Sequence, residues 1–311
     1  MKSVCNALSS LSFHKISKSE IYKLSDQFKE IRVLSRNIEK CKQIKVIKNV
    51  ELFLYDPSNT SSFTKHLKDS HVVINTVGIL SESRKVTFED VHFNFVKNLV
   101  SKSRENNVAK FIHLSALNAD INGPSRYLQS KGKADDYISS NNDIKLKTVI
   151  FRPSIVFGER DSFFNRFNRL LKFIPIFPLA CPNSLFSPIY VKDLSNFVVE
   201  SVLTSKYDNQ IKNMTGPKNY SFLELIKFIL KVTNSRRIVV PLNYTLSYMQ
   251  AFAFTYFVPG NVFTLDNLKS LKIDNISSEG LKGKTSIEEI VPSYLSKKNN
   301  KIDTYRKNAG R

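Results

Sequence analysis

Apolar runs of strand length recur along the first half of the chain: Ile31 to Ser35, Val50 to Leu54, Val72 to Val77, Lys110 to Leu114 and Thr148 to Val156. They alternate with stretches of helical period, which predicts βαβ units on a parallel sheet. The runs are continuous and do not alternate in and out, as expected of strands covered by helices on both faces. Between the third and fourth runs, Thr87 and Asp90 have capping-box spacing, and Phe88, Val91, Phe95 and Leu99 share one face of the helix they open. A second helix is predicted from about Ser125 to Ser139, behind the Gly123-Pro124 breaker.

The pattern changes after Gly158. Phe163, Phe164, Phe167, Leu170, Leu171 and Ile174 fall on one helical face, and Pro175, Pro178, Pro182 and Pro188 then break the chain into irregular structure. Residues 189–203 return to strand then helix, Phe222 to Val232 predicts an amphipathic helix, and Arg236 to Pro241 a short strand. The expected organisation is a doubly wound α/β domain over residues 1–158, which reclaims about 186–206. A smaller, loop-rich substrate or partner region over 159–295 and a basic, flexible tail over 296–311 complete it. Ile238 to Leu265 carries no charged side chain across 28 positions but seven aromatic rings. Pro241, Pro259 and interspersed polar residues leave it short of the ~20 apolar residues a membrane span needs. A buried or half-buried helix of the second region is expected there, with interfacial membrane contact as the alternative.

The 311 residues are 41% hydrophobic and 24% charged, a globular balance, with a formal charge of +20. The lysines are spread along the chain, and no zinc finger, basic zipper or RNP-type motif accompanies them, so no nucleic-acid partner is expected. Cys5, Cys41 and Cys181 form no CxxC pair, which points to a reducing compartment, and the five histidines show no HxxxH spacing, so no metal site is expected. The apolar stretch within Met1 to Ser12 is broken by Asn6, Ser9 and Ser10, so no signal peptide is expected and a cytoplasmic location follows. Glycine is scarce: nine in all, the first at Gly78.

The strongest local chemistry is Ser115-Ala116-Leu117 at a strand end, followed twelve residues on by Tyr127 and then Lys131 on a helix. The i,i+4 spacing puts the phenol and the ammonium on one face. A phenol of pKa about 10 serves as acid or base near neutrality only if its phenolate is stabilised, which a neighbouring ammonium does. A serine hydroxyl can orient the substrate oxygen. Ser115, Tyr127 and Lys131 are therefore the candidate catalytic residues of a carbonyl/alcohol hydride-transfer site.

Six segments carry a family resemblance: Val33-Leu34-Ser35-Arg36-Asn37, Val73 through Leu80, His113 through Asp120, Pro124 through Lys131, Phe151 through Gly158, and Pro188-Ile189-Tyr190-Val191-Lys192-Asp193. In this order, over roughly residues 30–295, the chain resembles an atypical short-chain dehydrogenase/reductase. Within that family it is similar to the nucleotide-binding accessory-subunit type of respiratory complex I and its bacterial relatives. The resemblance implies a Rossmann-type fold of the NAD-dependent epimerase/dehydratase kind and assigns cofactor-binding roles. Arg36, where NAD-preferring members carry an acid, implies NADP(H) over NAD(H). Asp56 would lie beside the adenine, Val77 and Gly78 under the adenosine half, and Ser115, Tyr127, Lys131 and Pro153 around the nicotinamide and its ribose.

Such a fold should open with a strand and a GxxGxxG turn whose bare backbone N–H groups meet the pyrophosphate. Here the glycine positions fall on Leu11, His14 and Ser17, a degenerate phosphate loop, and residues 1–20 read poorly as a first strand. Cofactor binding is accordingly expected to be weakened or lost. Three readings stand. In the first the chain binds NAD(P) structurally or as a redox sensor, with respiratory-chain or quinone-pathway proteins as partners and a peripheral place on the cytoplasmic or matrix side of an inner membrane. In the second it is an active NADP-dependent oxidoreductase or epimerase on a quinone-related, lipid or sugar substrate. In the third it is an assembly factor at the membrane edge that binds no nucleotide. Restoring glycine at positions 11, 14 and 17 is expected to tighten NADPH binding in a fluorescence titration; unchanged or weaker affinity would contradict the assignment of the loop.

Overall fold

Seven parallel strands build the larger sheet: β1 (Ser3–Ala7), β2 (Glu30–Ser35), β3 (Val50–Leu54), β4 (Ser70–Asn75), β5 (Lys110–Leu114), β6 (Lys147–Pro153) and β7 (Gln210–Thr215). A two-residue strand, β8 (Leu281–Lys282), lies at one edge, and the spatial order is β8-β7-β6-β5-β4-β1-β2-β3. These elements belong to a computed structural model that describes residues 3–7, 18–57, 59–257 and 263–296. The described chain divides into two units. One runs to Pro153 and takes in Val191–Met214 and Glu279–Leu281; the other holds Ser154–Tyr190, Thr215–Ser278 and the chain from Lys282.

In the first unit the strand order reverses beside β1, the switch point at which doubly wound sheets open a crevice at the carboxyl ends of their strands. The strands are apolar runs because both faces are covered. Val33, Leu34, Val73, Ile74, Phe111, Ile112, Val149 and Ile150 are all buried. The helices α1 (Lys18–Ser25), α2 (Phe95–Glu105), α3 (Arg126–Ser140) and α4 (Val191–Leu203) supply the cover, with α2 against α3 and α1 against α4. The capping pair ahead of α2 forms: the Thr87 N–H donates to Asp90 Oδ2 at 3.2 Å and the Asp90 N–H to Thr87 Oγ1 at 3.1 Å. One turn of wide, π-type geometry, Glu89–Asn94, leads from it into α2.

The first strand corrects the sequence expectation. Ser3–Ala7 pairs with β2 on one side and β4 on the other. A strand flanked by two ladders draws its stability from them, so polar Ser3, Cys5 and Asn6 do not prevent it. The Leu11, His14 and Ser17 loop lies outside the described residues.

The second unit is built around phenylalanines. Phe157, Phe164, Phe177, Phe186 and Phe222 are buried with Leu225, Ile226 and Ile229 of the Phe222–Val232 helix. The proline-rich stretch predicted as irregular supplies two short strands, Ile176–Leu179, paired with the predicted strand Ile238–Pro241, and Leu185–Phe186, paired with Tyr220–Ser221; Val156–Phe157 pairs with Ile189–Tyr190 outside it. Two-stranded ribbons are all edge, and edges tolerate Pro178.

One glycine sets how deeply α3 seats. A Cβ on Gly132 would stand 2.3 Å from the Asp120 carbonyl carbon and 2.4 Å from the Ile121 nitrogen, both backbone. Gly132→Ala is expected to lower stability by about 1–3 kcal/mol despite alanine's better helix propensity, because overpacking against backbone outweighs it. Urea unfolding checks this, and an unchanged or higher midpoint would contradict it.

Candidate functional site

The parallel register aligns Leu34, Ala7, Asn75, His113 and Ile150 in one row across β2, β1, β4, β5 and β6. Immediately beyond this row stand Arg36, Val77, Gly78 and Ser115, so four of the residues singled out from sequence share the carboxyl edge of one sheet. Helix α3 brings the others. Ser125 caps it, its Oγ accepting the Leu128 N–H at 3.2 Å, and Tyr127, Lys131 and Asp135 follow at i, i+4 and i+8 on one face. Lys131 is buried and its Nζ donates to the Leu114 carbonyl at 3.2 Å. The same Nζ is 3.5 Å from where a Cβ on Gly78 would stand. Lys131, Gly78 and the end of β5 therefore meet.

Buried His92 completes this group. Its Nε2 accepts the Ile79 N–H at 3.0 Å, so Nδ1 carries the proton of the neutral ring and donates to Ser130 Oγ at 2.9 Å. Ser130 in turn donates to the Tyr127 carbonyl at 2.8 Å. The half-buried Tyr127 ring stands edge-on to His92 at 5.4 Å and to Phe88 at 5.6 Å, which fixes its plane.

Below lies a carboxylate that sequence reasoning missed. Fully buried Asp135 accepts from Ser115 Oγ at 2.9 Å and from Arg152 Nε at 2.7 Å, both on Oδ2. Asn75 orients the remaining neighbour: its Oδ1 accepts the Val77 N–H, so its amide nitrogen donates to His113 Nδ1 at 3.0 Å. That leaves the proton of a neutral His113 on Nε2, 4.0 Å from Asp135 Oδ1, an oxygen with no hydrogen-bond partner among the described residues. Burial pushes the Asp135 carboxyl up to about 6, against the pull of Arg152, Ser115 and Lys131. Burial, with the nearby Asp135 carboxylate, pushes the Tyr127 phenol up to about 12. The phenol therefore keeps its proton near neutrality, a shift opposite in sign to the one acid/base turnover calls for. Ser115 directs its single O–H inward to Asp135.

At the adenosine-side strand ends, Arg36 follows β2 and Tyr55 follows β3. Arg36 Nε and the Tyr55 hydroxyl are both buried without a hydrogen-bond partner among the described residues. Burial raises the Tyr55 phenol, and the positive charge of Arg36 acts to lower it, which places the two groups near each other. Two buried donors lacking acceptors suit an oxygen-bearing ligand, so the residues present fit a dinucleotide phosphate or ribose. Exposed Asp56 is two residues beyond β3, its N–H on Ser62 Oγ at 3.0 Å, and Pro153 closes β6, its carbonyl accepting the Leu117 N–H at 2.9 Å. The missed residues did leave signals. Asp135 continues the Tyr127, Lys131 spacing by one more step of four, and Arg152 is a charge inside an otherwise apolar strand.

Residues 15–162 match the NAD(P)H-binding family model, and residues 117–221 match that of the 3-beta hydroxysteroid dehydrogenase/isomerase family. Among curated relatives, the mitochondrial NADH dehydrogenase [ubiquinone] 1 alpha subcomplex subunit 9 of Mus musculus is 30% identical over 233 residues, 74% of this chain and 60% of that protein. These matches make the chain similar to NAD(P)H-binding proteins of the dehydrogenase kind. Its first unit has the Rossmann-type NAD(P)-binding fold. The mitochondrial NADH-ubiquinone oxidoreductase 40 kDa subunit of Neurospora crassa is 26% identical over 60% of this chain and 48% of its own length. The chain thus spans about half to three fifths of the length of these relatives. The solved structure of Pal from Bacillus thuringiensis matches with a TM-score of 0.70 at 13% identity, over 95% of this chain and 99% of that one. DesIV, a dTDP-glucose 4,6-dehydratase from Streptomyces venezuelae with NAD and TYD bound, matches with a TM-score of 0.70 at 12% identity, over 99% and 98%. At such identities these likenesses concern the fold.

The Asp135 shift has a pH consequence. A carboxyl raised from its ordinary 3.8 to about 6 in the folded protein stabilises the fold below the unfolded value, and that contribution is lost as pH rises through the folded one. Asp135→Asn is expected to remove this fall, so the difference in stability between wild type and variant should shift in the variant's favour from about pH 4 to about pH 6.5. Urea unfolding across that range checks it, and a pH-independent difference would contradict it.

Proposed function

We propose that the chain holds NADP(H) as an accessory subunit of a respiratory NADH dehydrogenase complex, with the nucleotide stabilising the fold or sensing redox state and not turning over. The observation that carries this reading is the direction of Ser115, whose O–H donates inward to Asp135 at 2.9 Å; burial and that same carboxylate push the Tyr127 phenol up to about 12. The relatives named as NADH dehydrogenase subunits supply the partner class. A peripheral place on an inner membrane follows from that class. The preference for NADP(H) rests on Arg36, whose buried Nε lacks a partner beside an equally unpartnered Tyr55 hydroxyl. A 2′-phosphate would give both donors an acceptor.

When bound, the dinucleotide supplies a nicotinamide able to accept or release a hydride. The chain's residues would hold it at both ends. Arg36 and Tyr55 take the 2′-phosphate side, Val77 and Gly78 pass under the adenosine half, Lys131 donates to ribose hydroxyls, and Pro153 lines the nicotinamide pocket. The second reading, an oxidoreductase or epimerase acting on a quinone-related, lipid or sugar carbonyl, draws on one observation: Tyr127 and Lys131 stand on one face of α3 beside Gly78.

Nucleotide fluorescence, read against a chain without tryptophan, tests the proposal. Arg36→Ala is expected to weaken NADPH binding by about tenfold or more with little effect on NADH, the size of one charge-assisted hydrogen bond or more. Unchanged NADPH affinity would contradict the assignment of Arg36. Tyr127→Phe should leave binding intact, and a turnover present in the wild type and lost in this variant would favour the enzyme reading.

A further inference from the structure

The helix Tyr244–Phe257 of the second unit has its polarity reversed. None of its fourteen residues is charged. Three of its polar side chains, those of Ser247, Gln250 and Thr255, turn toward the unit they pack on, while Thr245 is exposed. Ser247 is 0% exposed and its Oγ donates to the Asn243 carbonyl at 2.8 Å while accepting the Cys181 N–H at 3.3 Å. Gln250 Nε2 donates to the Pro178 carbonyl at 2.9 Å, and Thr255 Oγ1 accepts the Leu265 N–H at 3.0 Å. The large apolar side chains turn the other way. Met249 is 61% exposed, Phe252 45% and Tyr256 65%, and Tyr244, Leu246 and Tyr248 are exposed with them. The exposed Phe252 and Tyr256 rings meet at a 50° tilt with centroids 4.8 Å apart. A helix facing water carries the opposite arrangement; the helix is half-buried, as expected from sequence, but with polar anchors in inward positions and large apolar side chains outward.

Other large apolar residues of the same unit are exposed. The Gln250 bond holds the helix to the strand pair Ile176–Leu179 and Ile238–Pro241, where cross-strand neighbours Ile176 and Ile238 are both exposed, as is Val240. Basic residues accompany them. Lys172 and Arg236 are exposed beside the strand pair, Lys269 is exposed on the next helix, and Lys272 Nζ stands 5.3 Å from the centre of the Tyr244 ring. Of the nearby acids, Asp274 accepts the Leu185 N–H at 2.9 Å and Asp266 is half-buried.

We propose that this face is a peripheral membrane-binding surface seated in the headgroup region of an anionic bilayer. Met249 and Phe252 supply apolar area, Tyr244, Tyr248 and Tyr256 combine apolar rings with hydroxyls suited to the headgroup level, and the basic side chains meet lipid phosphates. A protein partner of ordinary apolar character would require neither an excess of exposed basic side chains, Lys172, Arg236, Lys269 and Lys272, over acidic ones nor three tyrosines among the exposed positions. Among the described residues no helix is long and apolar enough to cross a membrane, which limits this contact to the interface. The inference gives a surface to the peripheral placement in the proposed function and is independent of nucleotide binding.

Because the chain has no tryptophan, single reporters can be placed at will. Phe252→Trp in the full chain is expected to shift its emission to the blue on mixing with phosphatidylcholine vesicles containing phosphatidylglycerol, and less so as salt is added. Ile144→Trp, at a 92% exposed position of the first unit, should not shift. Replacing Tyr248, Met249, Phe252 and Tyr256 together with serine is expected to reduce co-sedimentation with those vesicles about tenfold or more, since each lost apolar side chain weakens interfacial partitioning. Three outcomes would overturn the proposal: no vesicle binding by the wild type, binding unaffected by the serine replacements, or a lipid-independent dimer abolished by the same replacements. NADPH binding measured on the same samples separates the two ideas. A wild type that binds NADPH but no vesicles counts against this surface alone, and one that binds vesicles but no NADPH counts against the nucleotide reading alone.

Discussion

One buried carboxylate organises the carboxyl edge of the sheet. Removing Asp135 from water costs several kcal/mol unless it is paired and hydrogen-bonded, and its partners come from elements far apart in sequence: Ser115 after β5, Arg152 within β6 and, at longer range, His113 of β5 held by Asn75 of β4. A shift of α3 along its axis would strand this charge. The arrangement therefore acts as a register device, and Gly132, pressed on the Asp120 and Ile121 backbone three residues earlier, fixes the depth at which it operates. Tyr127 and Lys131 inherit their positions from that fit.

The same carboxylate shapes the chemistry above it. A negative charge below a buried phenol opposes ionisation, and a serine that donates inward offers a ligand only lone pairs. In the proposed reading the site holds a nucleotide without moving protons for it. The orphan donors at Arg36 and Tyr55 would then bind the opposite end of the ligand, where an arginine can grip a phosphate whatever the state of the nicotinamide.

Much of this could be read from the chain. Continuous apolar runs foretold β2 through β6, the Thr87 and Asp90 pair foretold the start of a helix, and the strand, serine, tyrosine, lysine order located the site. Elements whose stability comes from elsewhere could not be read. Ser3–Ala7 becomes a strand because two neighbours pair with it, and Ile176–Leu179 and Leu185–Phe186 among the prolines become strands because later segments pair with them beside packed phenylalanines. Asp135 was hidden for a similar reason: a helix carboxylate looks like a solvated charge until Arg152 is brought to it. The half-buried helix Tyr244–Phe257 was legible, but not which of its side chains face outward, because composition counts apolar residues without saying which way they face.

The account rests on retention of a reduced dinucleotide without its consumption. The most direct measurement follows the fluorescence and absorbance of the reduced nicotinamide in one sample of the chain mixed with NADPH, first for saturation and then over hours with carbonyl and quinone acceptors added. Saturable binding with the reduced nicotinamide persisting in the presence of acceptor is the predicted result. Absence of binding at millimolar NADPH, or oxidation of the bound nucleotide that depends on the acceptor, would contradict it.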